Sequence, residues 1–417
     1  MVQGRNPDTQ IVKITLLTAG VMTVLGGAPI APALPAIRDH FSGLENVETL
    51  SRFVLTLPAF FIAITAPAAG YLVDRAGRLR ILVIALALAG VAGTSGYFMS
   101  SLGGVLAGRA LLGIAVAGIM TAGTTLIADY YEGAERGRLL GLQTGLMGVG
   151  GTVLLTVTGV LADIQWNTPF LIHLAALVVL PFAVIYLFEP ERESRCADNP
   201  PPVGEPGGCA GESELQESPP PEPRPAATPV GLLVFIYLMI VFIQINFYIV
   251  PLYLPFYLGD LTGASATQSG IAISFMSLSF ALSSILLGKT LARRDRVGVM
   301  IGAFLILGLG YGLIALGAAS VWLYAGLVLG GIGLGILIPS LYVWLANAAP
   351  VAIRGRALGG FTTAVFLGQF LSPILSQPLV NAFEIAGMIG IVSVIFALIV
   401  PLLFIGRGRL RGLGAAA

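Results

Sequence analysis

The chain has 417 residues, 56% of them hydrophobic and only 10% charged, with a mean hydropathy of +0.91. Soluble domains carry about 25% charged residues, and a net charge of +1 with two cysteines builds neither a basic field nor a disulfide framework. A cytosolic enzyme, a nucleic-acid binder and a disulfide-stapled secreted domain are thereby excluded, which leaves a polytopic helical membrane protein.

Uncharged apolar runs of about 18 residues cross a ~30 Å hydrocarbon core as helices, because a helix satisfies its own backbone hydrogen bonds. Twelve such runs occur, centred near Leu25, Ile62, Leu88, Val116, Gly151 and Val178, then Ile245, Leu278, Leu307, Gly333, Gln369 and Ser393. They are continuous rather than alternating, which excludes a β-barrel. The first run, behind Lys13, imitates a cleaved signal peptide, but Pro29, Pro32 and Pro35 lie in its small-residue stretch and its loss would leave eleven spans. With both termini on the cytoplasmic side, 19 of the 22 Lys and Arg fall in cytoplasmic segments. Arg38 and Arg52 fall in outer loops, and Arg109 falls inside a span.

A repeat is visible at an offset of 218 residues. The segment from Gly70 to Arg78 corresponds to that from Gly288 to Arg296, and Glu135–Gly141 corresponds to Ile353–Gly359. Two matches on the same side of the membrane predict two six-helix units in parallel orientation. Between them, residues 189–230 hold 11 of the 26 prolines, nine acids and three arginines, a composition that predicts a disordered, acidic cytoplasmic tether. Cys196 and Cys209 lie there, in a reducing compartment, and predict neither a metal site nor a disulfide.

The segment Gly70-Tyr71-Leu72-Val73-Asp74-Arg75-Ala76-Gly77-Arg78-Leu79-Arg80 resembles the loop 2–3 signature of the major facilitator superfamily. Helix count, repeat and central linker extend the resemblance over the whole chain. It implies an all-α polytopic membrane fold of twelve transmembrane helices, divided into bundles at 1–188 and 231–417 with the linker at 189–230. In that family Gly70, Asp74, Arg75, Gly77, Arg78 and Arg80 form a latch between halves. Gly70 would let two helices approach closely, and Asp74 would accept bonds from a helix N-terminus or an arginine. The alternative is a basic loop that fixes topology alone.

The stretch around Arg109 resembles the fourth-helix motif of the same superfamily, where the arginine is associated with proton coupling. A guanidinium in a span costs at least ~2.5 kcal/mol and needs a partner unless it snorkels to the headgroups. None of the 21 acids is mid-span; Asp39, Asp129, Asp163, Asp260 and Glu384 come nearest. If protons couple, Asp39 or His40 acting with Arg109 at the outer mouth is the leading candidate, and His173 the weaker one. The fifth span ends in Ala162-Asp163 like the antiporter motif of the drug-export branch, yet it has Leu154-Leu155 where that motif has Gly-Pro. The kink and close packing of an antiporter are therefore not assured there.

In this fold the substrate path runs between the halves. Polar and aromatic positions facing that path are Gln244, Asn246, Tyr248 and Tyr253 on the seventh span, with Gln143, Thr121, Thr124, Phe60, Phe275, Met276, Phe366 and Gln369 on the others. Such a lining suits a neutral or amphiphilic small molecule. The resemblance implies a secondary transporter of small organic molecules, an exporter of drug:proton antiporter type, with protons as the coupling ion. A second reading is metabolite uptake or facilitated exchange without proton antiport, and a third is a transporter-like scaffold or sensor. No nucleophile–base pair, metal-ligand cluster or phosphate loop occurs, so neither an enzyme nor a metal or other cofactor is expected. Partners are the small substrate and membrane lipids, with no nucleic acid, and the chain is expected to act as a monomer in the inner membrane.

Overall fold

The computed structural model describes residues 7–190, 230–291, 295–317, 320–350 and 353–415, among which there are helices and no strands. The predicted tether, with both cysteines, falls almost entirely outside the described residues. Hydrophobic length sets the elements. The first span is α1 (Gln10–Met22), two 3-10 segments (Thr23–Gly26 and Ala28–Ala33) and α2 (Leu34–His40). It is followed by α3 (Val47–Ala76), α4 (Arg78–Ser95), α5 (Leu102–Tyr130) and α6 (Gly133–Ile164). A 3-10 segment (Thr168–His173) leads into α7 (Leu174–Tyr186). After the tether come α8 (Val230–Thr262), α9 (Ala266–Leu291), α10 (Arg296–Leu316), α11 (Ser320–Ala348) and α12 (Arg354–Ala415).

Eleven of these units are long and apolar enough to cross a membrane, and the last, α12, runs for 62 residues. Glu384 interrupts it with φ 59° and ψ 177°, so 354–383 and 385–415 are each of membrane length, which gives the expected twelve. The reason the junction carries no loop is that one non-helical residue suffices to turn the chain.

The repeat is drawn in the helix boundaries themselves. Moving 218 residues along takes Leu102 and Tyr130, the ends of α5, to Ser320 and Ala348, the ends of α11, and takes Arg78, the start of α4, to Arg296, the start of α10. A tertiary contact recurs at the same offset with its chemistry changed. In the first half Gly77, at φ 105°, lets the chain turn so that Glu189 accepts from the Arg78 and Leu79 N–H groups at 2.6 and 2.9 Å. In the second half the positions 218 further on are Asp295, which caps the first turn of α10, and Arg407, which donates to it at 2.7 Å. Both put negative charge at a helix N-terminus, where the backbone dipole favours it.

These contacts, with Arg78 paired to Asp129 at 3.0 Å and Lys13 to Glu135 at 2.5 Å, mark one end of the molecule, here termed the basic end. Replacing Glu189 with Ala leaves two N–H groups of α4 unmet and is expected to cost about 1–2 kcal/mol. Thermal unfolding in detergent should register it as a lowered midpoint, and an unchanged midpoint would remove the capping role.

Candidate transport cavity

A cavity of about 590 Å³ lies between the two six-helix groups. Its first-half wall is the broken centre of span one (Thr23–Pro29), with Ala59, Ile62, Val116 and Met120, and the face of α6 from Gly141 to Leu155. Its second-half wall is Phe247 and Tyr248 of α8, Ser277 to Ile285 of α9, and Phe366 and Gln369 of α12. Among the described residues no charged side chain lines it. Among the described residues the Tyr248 hydroxyl and the Gln369 amide make no hydrogen bond, so both are left to meet a guest.

The cavity is closed towards the end opposite the basic one. Asp163, the penultimate residue of α6, accepts at 2.8 Å from the Ala266 N–H, at 3.1 Å from the Thr267 N–H and at 2.5 Å from the Thr267 hydroxyl. It thus caps α9 from the other half. Further along the same seam, Gly159 and Gly270 bring the two backbones so close that a methyl group on either would lie 2.6 Å from the Ala266 carbonyl oxygen or 2.5 Å from that of Leu155. The Ser274 hydroxyl donates to the Thr152 carbonyl at 3.0 Å and lies 3.4 Å from that of Thr156. The contact reaches Gly148 against Ala281 and then stops: a side chain at Gly145, Gly141 or Gly137 would meet nothing. The helices therefore part towards the basic end.

The second seam repeats the pattern. Arg52 of α3 is 2% exposed. Its guanidinium donates to Gln377 of α12, and to the Glu48 carboxylate at 3.1 Å, and it lies 4.5 Å from the ring centre of Tyr253 and 5.3 Å from that of Phe256. Next come Phe53, stacked on Phe370 at 5.8 Å between centres, and Phe60, tilted against the same ring at 4.6 Å. Nearer the basic end, a side chain at Gly70 would meet nothing.

Several sequence expectations need correction. Tyr248, Phe366 and Gln369 do line the cavity, but the other nine candidates do not. Gln143 packs inside the first half, in the room left by Gly20, and Asn246 donates to its own helix at Phe242 while its carbonyl takes the Tyr311 hydroxyl. Thr121 and Thr124 bond back to helix carbonyls. Tyr253 and Phe60 belong to the closed seam, and Phe275 turns outward onto Tyr324. Met276 lies under α11, and Gln244 is buried with its carbonyl oxygen unpaired among the described residues. Sequence reasoning missed Ser277, Ser284, Phe247, Phe280 and the glycine face of α6. Arg52, read there as an outer-loop charge, is a buried seam residue.

Arg109 does not snorkel: it is 1% exposed. It donates to the Val54 carbonyl at 2.7 Å and reaches that of Gly26 at 3.5 Å, and its Nη1 lies 3.3 Å from His173 Nε2. His173 Nδ1 lies 2.9 Å from the Phe170 carbonyl, and its Nε2 lies 3.3 Å from the Leu25 carbonyl as well as from Arg109, so each ring nitrogen faces a carbonyl oxygen that can only accept. Asp39 and His40 do not join this group. Asp39 pairs with its neighbour Arg38 at 2.8 Å, and His40 stacks on Trp166 at 4.4 Å. In the loop 2–3 cluster Gly70 makes no close approach, Gly77 and Arg78 are tied to Glu189 and Asp129 of their own half, and Arg75 donates to Tyr71 at 2.7 Å. Asp74 and Arg80 are exposed. The close packing in doubt at Leu154-Leu155 is present, supplied by Gly159 and Gly270 instead.

Comparison with known proteins places this architecture. The family model described as Major Facilitator Superfamily matches residues 16–253 and 236–413. A bacillibactin exporter of Bacillus subtilis (strain 168) is 31% identical over 164 residues, 38% of this chain and 40% of the exporter. The class B tetracycline resistance protein of Escherichia coli is 29% identical over 46% of each chain. The chain thus spans less than half the length of the curated relatives it matches. Among solved structures, a D-xylose–proton symporter superposes with a TM-score of 0.71 at 18% identity, covering 93% of this chain and 96% of its own. A bacterial homologue of the human lysosomal transporter Spinster, in an inward-facing and occupied conformation, gives 0.77 at 15% identity with 98% of each chain covered.

Asp163→Asn removes one acceptor oxygen from three donors. It is expected to weaken the closed end by about 1–2 kcal/mol, about five- to thirty-fold in the ratio of closed to open forms. Spin labels at that end, at Ser100 between α4 and α5 and at Thr262, the last residue of α8, should move apart on average; an unaltered distance distribution would deny the clasp.

Proposed function

Because the chain belongs to the Major Facilitator Superfamily, we propose that it is a secondary transporter that exports small amphiphilic molecules by alternating access. The observation that carries the reading is the cavity between the halves, uncharged and aromatic, closed along two seams at one end and parted at the other. The charge bias assigns the parted end to the cytoplasm, with both termini there and the chain in the inner membrane. On this reading the conformation is inward-facing, and residues 1–188 and 231–417 rock as two bodies joined by the 189–230 tether. The names of the relatives, exporters and resistance proteins, support the outward direction.

The loop 2–3 cluster is the latch of the opposite state. Its Gly70 surface, open here, closes against the second half when the basic end shuts. The chain works as a monomer, since the path lies within one chain. Proton antiport is the branch's habit, but a second reading has a specific observation behind it: among the described residues no carboxylate lines the cavity or touches Arg109. That favours a carrier without a carboxylate proton site.

Two outcomes are expected. Thr156→Cys with Ser274→Cys, in a chain whose Cys196 and Cys209 are Ser, should cross-link across the seam on oxidation and stop dye flux in proteoliposomes until reductant is added. Continued flux after cross-linking would refute alternating access. An imposed pH gradient should leave flux unchanged if the carboxylate-free reading holds, whereas acceleration by the gradient would restore antiport.

A further inference from the structure

We infer that the cavity selects cargo carrying a single negative charge, because Arg109 sets an unmatched positive charge one backbone layer behind its wall; this rests on the carrier reading above. The guanidinium is fully buried, and every partner it has among the described residues is neutral: the Val54 and Gly26 carbonyls and the His173 ring. Burial and the guanidinium 3.3 Å away keep the His173 ring uncharged, so it supplies a dipole and no counter-charge. Carbonyl and imidazole dipoles satisfy the N–H groups but leave the monopole standing, and in a low-dielectric interior a monopole reaches further than a hydrogen bond.

That monopole points at the guest. Gly26, whose carbonyl faces Nη2 at 3.5 Å, is itself part of the cavity wall. The Tyr248 hydroxyl lies over the neighbouring Gly27, 3.0 Å from where a methyl group there would sit. It can donate to an anionic guest at the place where the Arg109 field is strongest, while Gln369 offers its amide donor from α12. Among the described residues the wall holds no Asp or Glu, so a cationic guest would meet only hydroxyl and amide oxygens and ring faces there, with no negative charge to offset Arg109. The aromatic rings of Phe247, Phe280 and Phe366 and the glycine face of α6 leave room for a flat apolar body.

The pair is not a requirement of the fold. At the repeat offset of 218, Arg109 corresponds to Leu327, which is fully buried, and His173 to Ile391. The second half has no ionisable cation at the corresponding positions. Gly93 shows that the first half was fitted for the ring, since a side chain there would take the imidazole's space, and its repeat counterpart is the bulky Tyr311. The buried charge therefore belongs to the first half alone, and the repeat packs at the corresponding place without it.

The test uses three probes of one shape: pyrenebutyrate, pyrenebutanol and pyrenebutylammonium. Binding is measured by equilibrium dialysis against the full chain in zwitterionic nanodiscs, with empty nanodiscs subtracted. The anion should bind about 10-fold or more tighter than the alcohol, and the ammonium about 10-fold or more weaker. Arg109→Met should bring the three within about threefold of one another, and Arg109→Lys should keep the order. If Arg109→Met does not fold, Ser284→Asp, which places a counter-charge in the wall and leaves Arg109 alone, should erase the anion preference. Equal binding of the three by the wild-type chain, or tighter binding of the ammonium, overturns the inference, as does a preference that survives Arg109→Met. Flux through proteoliposomes separates the two claims. Equal transport of all three probes leaves the carrier and removes the charge selection; anion-selective binding without any flux does the reverse.

Discussion

A guanidinium inside a membrane has to be answered by its own protein, and the answer to Arg109 organises the first half of the chain. The carbonyls of a regular helix are already engaged, so a helix interior has little to offer a buried cation. Three of the helices here are not regular where they pass it: in α3 Pro58 has no N–H for the Val54 carbonyl, which is left to take the 2.7 Å bond from Arg109. Span one breaks into 3-10 segments at Thr23–Gly26 and Ala28–Ala33, and the sixth span begins with the 3-10 segment Thr168–His173. These irregularities bring Gly26 and Phe170 carbonyls and the His173 ring to one place. Non-helical backbone at membrane depth is tolerated only when it is buried in protein or lines a cavity, and this backbone does both. The break that feeds Arg109 on one side forms the wall of the cavity on the other.

Closure between the halves obeys a different economy of charge. Asp163 enters the N-terminus of α9, and Arg52 enters a nest of Gln377, Tyr253 and Phe256. In each seam a charge of the first half meets dipoles or rings of the second rather than an opposite charge. An ion pair across the seam would have to be desolvated on closing and resolvated on opening, at several kcal/mol per ion. A carboxylate on a helix end or an arginine on a ring loses less than a desolvated ion pair would when such a contact parts. The glycine contacts of Gly159 and Gly270 supply the rest by van der Waals packing, which needs no specific register and can be remade.

The fold was legible because the bilayer dictates it. Twelve apolar runs and a 218-residue offset follow from hydropathy and two loop matches, and the boundaries of α5 and α11 obey that offset to the residue. The cavity was far less legible. In a soluble helix a polar residue marks a face, but in a bundle within lipid the polar residues avoid the outside and are then divided among three destinations: the cavity, the seam, and the interior of one bundle. Tyr248, Tyr253 and Asn246 sit within eight positions on α8 and went one to each. Glycines were legible as packing surfaces but not as cavity wall, because a glycine is the same letter whether its neighbour is 3.0 Å away, as at Gly148, or absent, as at Gly145. The partnership of Arg109 with His173 was hidden by 64 residues of separation and by a prior that sends buried arginines to acids.

The missing acids are the same fact as the unmatched arginine, seen from the side of energy supply. A proton antiporter needs a group that gains and loses a proton within the path, and among the described residues no carboxylate occupies the cavity wall. If the cargo brings the negative charge that the protein withholds, the need lapses. A cell interior is electrically negative, and moving one elementary charge through that potential is worth about 2.3 kcal/mol per 100 mV. At about 1.4 kcal/mol per tenfold ratio, that is enough to hold a monoanion more than about tenfold more dilute inside than outside. An exporter of such cargo would be driven by the potential alone, and on the proposed orientation Arg109 would serve to load the anion from the cytoplasmic side against that same field. An arginine in that role would have to release its cargo, and from one layer behind Gly26 rather than in the wall Arg109 would attract an anion without forming a bidentate pair with it.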